Sequence, residues 1–251
     1  MGETDDSPPA PYRWSADRGY LTLRGLDHPA TIHLFGSRRL FSAADLPGVR
    51  SVVRVRQVHG SGVVQIDHRI LSEMPEGDAL MTDRYDILVT VETADCTPIL
   101  LFDSSRPAVA AIHAGWRGTV ANIAASTVAA MAAAYGSNPA TIHAGIGPTI
   151  GSCCYEVGRE VWERVAAKYP DDPAVILHPD PETESLTVAN ERARLDLVRL
   201  NRNQLVRAGL PPAQIVASDL CTSCHPDHFY SYRRDGVRVG RHISGILLKQ
   251  P

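Results

Sequence analysis

Apolar positions along this chain follow two periods. Short runs rich in Val and Ile, bounded by Gly, Asp, Ser or Pro, predict strands at Thr31–Phe35, Val52–Val58, Ile87–Val91, Pro98–Phe102 and Ala108–His113. Further strands are expected at Thr141–Ile146, Gln214–Ala217, Phe229–Tyr232 and Arg238–Leu248, the last two joined by an Asp235-Gly236 turn. The helical period shows first at Thr119–Tyr135, where Val120, Ile123, Ala124, Thr127, Val128 and Met131 share one face and Gly136 supplies a stop. A second helix is read from Val157, Val161, Val165 and Tyr169 before Pro170, and a third from about Asn190 to Ala208, closing at Gly209 with Pro211 beyond. Strands and helices interleave without a regular βαβ period. The expected fold is therefore α+β, mixed β-sheet layers flanked by helices, rather than a doubly wound sheet. Residues 1 to about 10, acidic and Pro-rich, read as a disordered tail; Pro170–Pro181 reads as a surface loop, and 11–251 as one domain.

Composition narrows the function classes. The 251 residues are 44% hydrophobic, enough for a substantial core. With 25 Lys+Arg against 28 Asp+Glu, the net charge of -3 offers no broad positive field for a nucleic acid. No window approaches the roughly 18 to 20 uninterrupted apolar residues of a membrane span. The first twenty residues carry Asp5, Asp6, Pro8, Pro9 and Pro11 where a signal peptide would be greasy, so the expectation is a soluble cytoplasmic protein without nucleic-acid or membrane partners. Five cysteines are an odd count and too few for a disulfide scaffold, which leaves packing, metal or catalysis to explain them.

Three residues carry candidate chemistry: His59 in Gln57-Val58-His59-Gly60, Cys96 in Thr93-Ala94-Asp95-Cys96, and His113 in His113-Ala114-Gly115-Trp116-Arg117-Gly118. Each sits at the end of a strand-like run beside turn-forming residues. If Thr97–Phe102 and Pro107–Ile112 form an antiparallel hairpin with Phe102 opposite Pro107, Cys96 falls directly across from His113, on the same face. A one-residue slip would separate them. One thiolate and two imidazoles suit zinc, with a fourth position left for water or substrate. A thiol nucleophile with His113 as its base uses the same pair. Asp95, beside Cys96, is the candidate carboxylate, with a turn or supporting hydrogen bond as its alternative role. Arg38, Arg117, Arg233 and Arg234 are candidate anion clamps.

Two further motifs weigh less. Cys221-Thr222-Ser223-Cys224-His225 matches a c-type haem attachment pattern by letters, but that pattern belongs with exported chains. As half of a zinc site it would need Cys153-Cys154 as the other half; vicinal cysteines are awkward joint ligands, and buried structural thiols are the expected reading. Gly145-Ile146-Gly147-Pro148-Thr149-Ile150-Gly151 lacks the Lys-Ser/Thr of a phosphate-binding loop, although its glycines could admit close backbone approach to a ligand.

Taken in order, Gln57-Val58-His59-Gly60, Asp78-Ala79-Leu80-Met81-Thr82, Thr93-Ala94-Asp95-Cys96-Thr97-Pro98-Ile99 and Ala110-Ala111-Ile112-His113-Ala114-Gly115-Trp116-Arg117-Gly118-Thr119 form a recognisable series. Gly145-Ile146-Gly147-Pro148, Cys154-Tyr155-Glu156-Val157-Gly158 and Phe229-Tyr230-Ser231-Tyr232-Arg233-Arg234-Asp235-Gly236 continue it. Together these blocks, spread over about residues 31 to 248, resemble the YfiH/laccase-domain family. Proteins of that family were long labelled polyphenol oxidases and later described as purine nucleoside phosphorylases with adenosine deaminase activity. The resemblance implies a zinc ion held by His59, Cys96 and His113, and a pocket for a purine nucleoside and phosphate. The substrates implied are inosine, guanosine, adenosine or S-methyl-5'-thioadenosine, and Arg38 is placed near them. Around Arg38 the chain departs from the family pattern. Leu34 and Gly36 replace the usual residues, and the Gly-rich and Asn-Leu-Gly segments that precede the Gln57 block in relatives are missing. The older label implies copper instead, yet multicopper oxidation calls for paired His-x-His arrays, and this chain has none.

Overall fold

A computed structural model of the chain describes residues 10–15, 17–39, 43, 46–67, 74–172, 175–177 and 192–250. Among them, β1 (Tyr12–Ser15), β2 (Tyr20–Leu23), β3 (Thr31–Gly36), β4 (Ser51–Val53), β5 (Val63–Gln65) and β6 (Ala79–Thr82) are followed by three longer strands. These are β7 (Ile87–Thr93), β8 (Thr97–Asp103) and β9 (Ala108–Ala114), and they lead into helices α1 (Trp116–Val120) and α2 (Ile123–Tyr135). The second half adds β10 (Ile142–Ile146), β11 (Glu156–Gly158), α3 (Arg159–Lys168), β12 (Ile176–Leu177), β13 (Arg192–Leu195) and α4 (Leu197–Arg207). It ends with β14 (Ile215–Ala217), the short α5 (Tyr232–Asp235) and β15 (His242–Leu248).

The fold is α+β, as the interleaving of periods predicts. One six-stranded sheet runs β1-β2-β3-β15-β7-β4, a second runs β14-β10-β8-β9-β6-β5, and a small third sheet runs β11-β13-β12. The side-chain alternation of β8 and β9 shows how the layers stack. Leu100, Phe102, Val109 and Ala111 point into a core shared with Phe35, Val89, Val91 and Ile246 of the first sheet. Ile99, Leu101, Ala110 and Ile112 point the other way, against Ile123, Val128 and Met131 of α2 and Leu205 of α4. With both faces covered, these strands read in sequence as unbroken apolar runs.

Several expectations are corrected. The predicted helix over 119–135 is two helices, because Asn122 takes a left-handed backbone (φ 62), which Asn tolerates better than most residues. The predicted helix over 190–208 begins only at Leu197, where the Asp196 carboxylate accepts from the Arg199 amide at 2.9 Å. Arg192–Leu195 before it alternates exposed and buried, the period of a strand. Residues 229–232 form no strand and no hairpin with 238–248. Ser231 caps α5 instead, and β15 inserts antiparallel between β3 and β7. The strand expected over 52–58 stops at Val53; beyond it the Gln57 side chain replaces a ladder pair, donating to Glu92 O and accepting from Glu92 N, both at 2.8 Å. The tail over 1–9 and much of the Pro170–Pro181 loop lie outside the described residues, although Ile176–Leu177 within that loop is strand. The β8–β9 hairpin forms with Phe102 opposite Val109 and Pro98 opposite His113, two residues from the expected register.

Candidate metal centre

Two strand ends, one loop and one buried carboxylate build the site. His113 lies near the end of β9 and is buried, Cys96 is half-buried one residue before β8, and His59 is exposed on the loop after β4. One side-chain ligand atom from each lies within 4.8 Å of the others, and the two imidazole rings meet edge to face with centroids 4.8 Å apart. The two-residue register shift moves Cys96 from directly opposite His113 to diagonal from it. Because the shift is even, both stay on one face.

Asp78 holds the arrangement together, and sequence reasoning did not single it out. It is fully buried at the start of β6, and its Oδ1 accepts from the His59 amide at 2.9 Å and pairs with His113 Nδ1 at 2.9 Å. Its Oδ2 accepts from the amides of Gly60 at 2.6 Å and Val58 at 3.3 Å. One carboxylate thus fixes the backbone of the His59 loop, where His59 itself has a left-handed φ of 60, and orients the His113 ring so that Nε2 faces Cys96. The available signal was a lone acid opening the apolar run Ala79–Met81: a charge there is costly to bury unless several donors meet it.

Close backbone approach completes the floor. A Cβ on Gly115 would lie 3.0 Å from Cys96 Sγ and 3.3 Å from His59 Cδ2, and one on Gly118 would lie 2.8 Å from Gly60 O. Those two glycines let α1 seat over the ligand group. The glycines of 145–147 serve a different neighbour: their approach is to Phe35, Leu23 and Leu26 in the core, not to a ligand.

The electrostatics are those of a thiolate facing an imidazolium. Burial pushes the Cys96 thiol up, but hydrogen bonds and charge from His113 and His59 outweigh it and bring its pKa to about 6. Burial likewise opposes protonation of His113, and Asp78 and Cys96 together raise it to about 9. Two imidazoles, a thiol that ionises readily and a carboxylate behind one imidazole form a donor set that fits a divalent ion. The Asp78–His113 contact is the outer partner that metal-ligating histidines characteristically have.

The trio sits at the floor of a cavity of about 780 Å³, within the range of small-ligand sites. Trp116 and Tyr155 line it, as do the cationic residues Arg54, Arg56, Arg117, Arg233 and Arg241. Arg117 lies over the Trp116 ring at 4.5 Å. Arg233 lies over Tyr155 at 5.4 Å and donates through Nη1 to Glu156 O at 2.7 Å, so part of its fork is already engaged. Arg38 is not part of the cavity lining; it stacks on Tyr230 at 4.8 Å and donates to Pro226 O. Arg234 is turned toward the carbonyls of Thr222, Ser223 and Phe229. Asp95, with a left-handed φ of 90, turns the chain into Cys96. Its carboxylate accepts from Thr222 Oγ1 at 2.6 Å, Ser231 Oγ at 3.0 Å and the Arg233 amide at 2.7 Å.

Of the four other cysteines, expected to be buried filler, only Cys221 is buried; Cys154 is half-buried, and Cys153 and Cys224 are exposed.

Residues 21–249 match the family described as multi-copper polyphenol oxidoreductase laccase. The chain is 38% identical over 177 residues to a purine nucleoside phosphorylase of Bacteroides thetaiotaomicron, a match covering 70% of this chain and 63% of that protein. It is 40% identical over 207 residues to adenosine deaminase RL5 from an unknown prokaryotic organism, covering 79% of this chain and 75% of that protein. In three dimensions it resembles YlmD from Geobacillus stearothermophilus with a TM-score of 0.83 at 27% identity, covering 96% of this chain and 100% of that one. The match to the Bacteroides protein thus spans slightly less than two thirds of that relative's length.

Proposed function

This chain belongs to the YfiH/laccase-domain family of multi-copper polyphenol oxidoreductase-type proteins, and from that premise we propose that it is a zinc-dependent purine nucleoside phosphorylase with adenosine deaminase activity. The observation that carries the reading is the His59–Cys96–His113 trio, braced by Asp78, on the floor of a cavity lined by arginines and aromatic rings. The names of the relatives support the substrate class.

Phosphorolysis needs an anion clamp for phosphate, a surface for the purine, help for the departing base and exclusion of water. Arg117 and Arg241 at the cavity wall supply guanidinium donors for phosphate oxygens. Trp116 and Tyr155 offer flat faces to a purine ring. Burial keeps the Tyr155 phenol protonated far above neutral pH, so it can donate a hydrogen bond to the base or ribose. His59, Cys96 and His113 would hold the ion, which when bound supplies Lewis acidity at the cavity floor. Asp78 keeps His113 in the tautomer whose Nε2 is free to ligate. Asp95 has its carboxylate turned to Thr222, Ser231 and Arg233, and we assign it the positioning of Cys96 and of the Arg233 loop. To Arg38, stacked on Tyr230 and outside the cavity lining, we assign no substrate role.

The reading is tested by incubating the purified protein with inosine or adenosine, with and without phosphate, and separating the bases by chromatography. Phosphate-dependent release of hypoxanthine from inosine, and inosine formation from adenosine, are expected for wild type and lost in His59→Ala. Absence of both reactions in metal-replete protein refutes it. A second reading has its own support: two imidazoles and one thiolate are also the donor set of an electron-transfer copper site. Metal analysis with visible absorption separates the two, since a copper thiolate is intensely coloured and a zinc thiolate is not.

A further inference from the structure

We infer that Cys153, Cys154, Cys221 and Cys224 form a second metal site, a structural tetrathiolate site for zinc that ties a loop of the cavity wall to a second loop that braces it from behind. The four sulfurs lie within 4.8 Å of one another, with Cys224 Sγ 3.5 Å from Cys153 Sγ and 3.4 Å from Cys154 Sγ. Tetrahedral zinc with bonds of about 2.3 Å sets its sulfurs about 3.8 Å apart, so the cluster already has the spacing of a ligand shell. Packing does not explain it. A thiol that fills a core is buried, whereas Cys153 and Cys224 face solvent and leave the cluster an entry path for an ion.

The backbone supplies what the vicinal pair needs. On a strand, neighbouring side chains point to opposite faces. Here Cys153 and Cys154 lie in a tight turn in which the amides of Cys154 and Tyr155 both donate to Gly151 O at 2.9 Å, and both sulfurs reach Cys224. Across from them, Cys221 and Cys224 have the two-residue spacing of a zinc half-site. The Gly151 amide donates to Cys221 Sγ at 3.2 Å, and the Cys224 amide is directed at the same sulfur. Amide donors aimed at sulfur stabilise a thiolate. Loading the site exchanges thiol protons for one divalent cation and changes no oxidation state.

One of the two loops so joined lines the cavity, and the other supports it through Asp95. Thr149 and Cys221 form an isolated bridge, with the Thr222 amide donating to Thr149 O at 3.0 Å. One loop continues from Cys154 to Tyr155 in the cavity wall, and the other places the Thr222 hydroxyl on Asp95.

Metal content of the purified protein decides the matter independently of nucleoside turnover. Wild type is expected to carry about two zinc ions per chain by mass spectrometric metal analysis, and His59→Ala and Cys224→Ser about one each. Should Cys224→Ser fail to fold, titrating metal-stripped wild type with Co(II) gives a second readout. Two binding steps are expected, one with the charge-transfer intensity of four thiolates and one with that of a single thiolate. A wild type whose metal is lost entirely in His59→Ala overturns the inference, as does a Cys224→Ser protein with unchanged metal content. Protein purified anaerobically with these cysteines in disulfides also overturns it.

Discussion

Replacing Asp78 with Asn keeps the shape of the side chain and removes half of its acceptor capacity, which isolates what the carboxylate does. The two oxygens serve different groups: Oδ1 meets His113 Nδ1 and the His59 amide, and Oδ2 meets the amides of Gly60 and Val58. An asparagine must turn its NH2 toward one of these pairs. Toward Gly60 and Val58, it leaves two amide donors facing a donor. Toward His113, it forces the ring to accept at Nδ1, which puts the proton on Nε2, the atom needed for a metal. Either outcome costs about 1–3 kcal/mol for each unsatisfied group, some of it recovered by small shifts of the exposed His59 loop. That scale agrees with the roughly 10- to 100-fold loss of metal affinity seen when the partner of a ligating histidine is removed. The assay is competition with a chromogenic chelator, with His59→Ala as the zero for this site and circular dichroism to confirm folding. If folded Asp78→Asn retains metal within about twofold of wild type, the carboxylate does not organise the site and the argument built on it is wrong.

Gly115→Ala is expected to weaken metal binding at the same site by about 10- to 100-fold with little change in melting temperature. Gly115 has φ -72, which any residue tolerates, while the new methyl would lie 3.0 Å from Cys96 Sγ. An unchanged affinity would show that the floor has slack. Asp95→Ala leaves two hydroxyls and one amide without their acceptor and should lower unfolding stability by about 3 kcal/mol or more, read from urea denaturation. If Asp95 carried a proton in the reaction, Asp95→Asn would delete a limb of the pH–rate profile; the expectation is a lower rate with both limbs kept. His33 and His242 are held neutral mainly by burial, each with a pKa near 4, and their Nε2 atoms accept from the amides of Leu23 and Tyr230. Because the folded pKa is depressed below the ordinary 6.5 of a base, the unfolded chain takes up more protons. Stability is therefore complete above pH 6.5 and falls toward pH 4, by about 3 kcal/mol per histidine. Urea midpoints measured across that window should flatten in His242→Gln, and an equally steep decline in that variant would contradict the assignment.

The hairpin that delivers two of the three ligands was visible in the sequence, and its register was not. Both strands are apolar on both faces, so the pattern locates them without marking which residue opposes which. The turn decides. Asp103 Oδ1 accepts from the Ser105 amide and hydroxyl at 2.9 Å and from Thr141 Oγ1 at 2.8 Å, closing the loop one residue later than expected. Pro107, assigned to the strand from sequence, has no N–H for a ladder and falls in the turn. The small third sheet was hidden for another reason. Val157, Val161 and Val165 share a helical spacing, but Val157 belongs to β11, where its neighbours Glu156 and Gly158 are exposed. A hydrophobic position common to a strand and the helix that follows it does not announce the boundary.

What the sequence conceals most is the connection between the two sulfur-bearing sites. Cys96 belongs to one and Cys221 to the other, separated by about half the chain, and no spacing rule links them. Asp95 does so physically: it precedes Cys96, and its carboxylate takes the hydroxyl of Thr222, the residue after Cys221. Its carbonyl accepts from the Ile150 amide at 3.0 Å and from Thr149 Oγ1 at 2.7 Å, on the loop that continues to Cys153. An aspartate with left-handed backbone and a buried carboxylate is costly unless many donors meet it; one cysteine loop gives Thr222 to the carboxylate, and the other gives Thr149 and Ile150 to the carbonyl. Loosening that cluster therefore removes donors from the residue that aims Cys96. In Cys224→Ser the exposed sulfur is gone while every contact of the His59–Cys96–His113 trio remains, so any weakening of metal binding at the trio in that variant measures the coupling through Asp95. A double-mutant cycle with Thr222→Val should show the two changes to be non-additive. Strict additivity would mean that the two sites share a wall and nothing more.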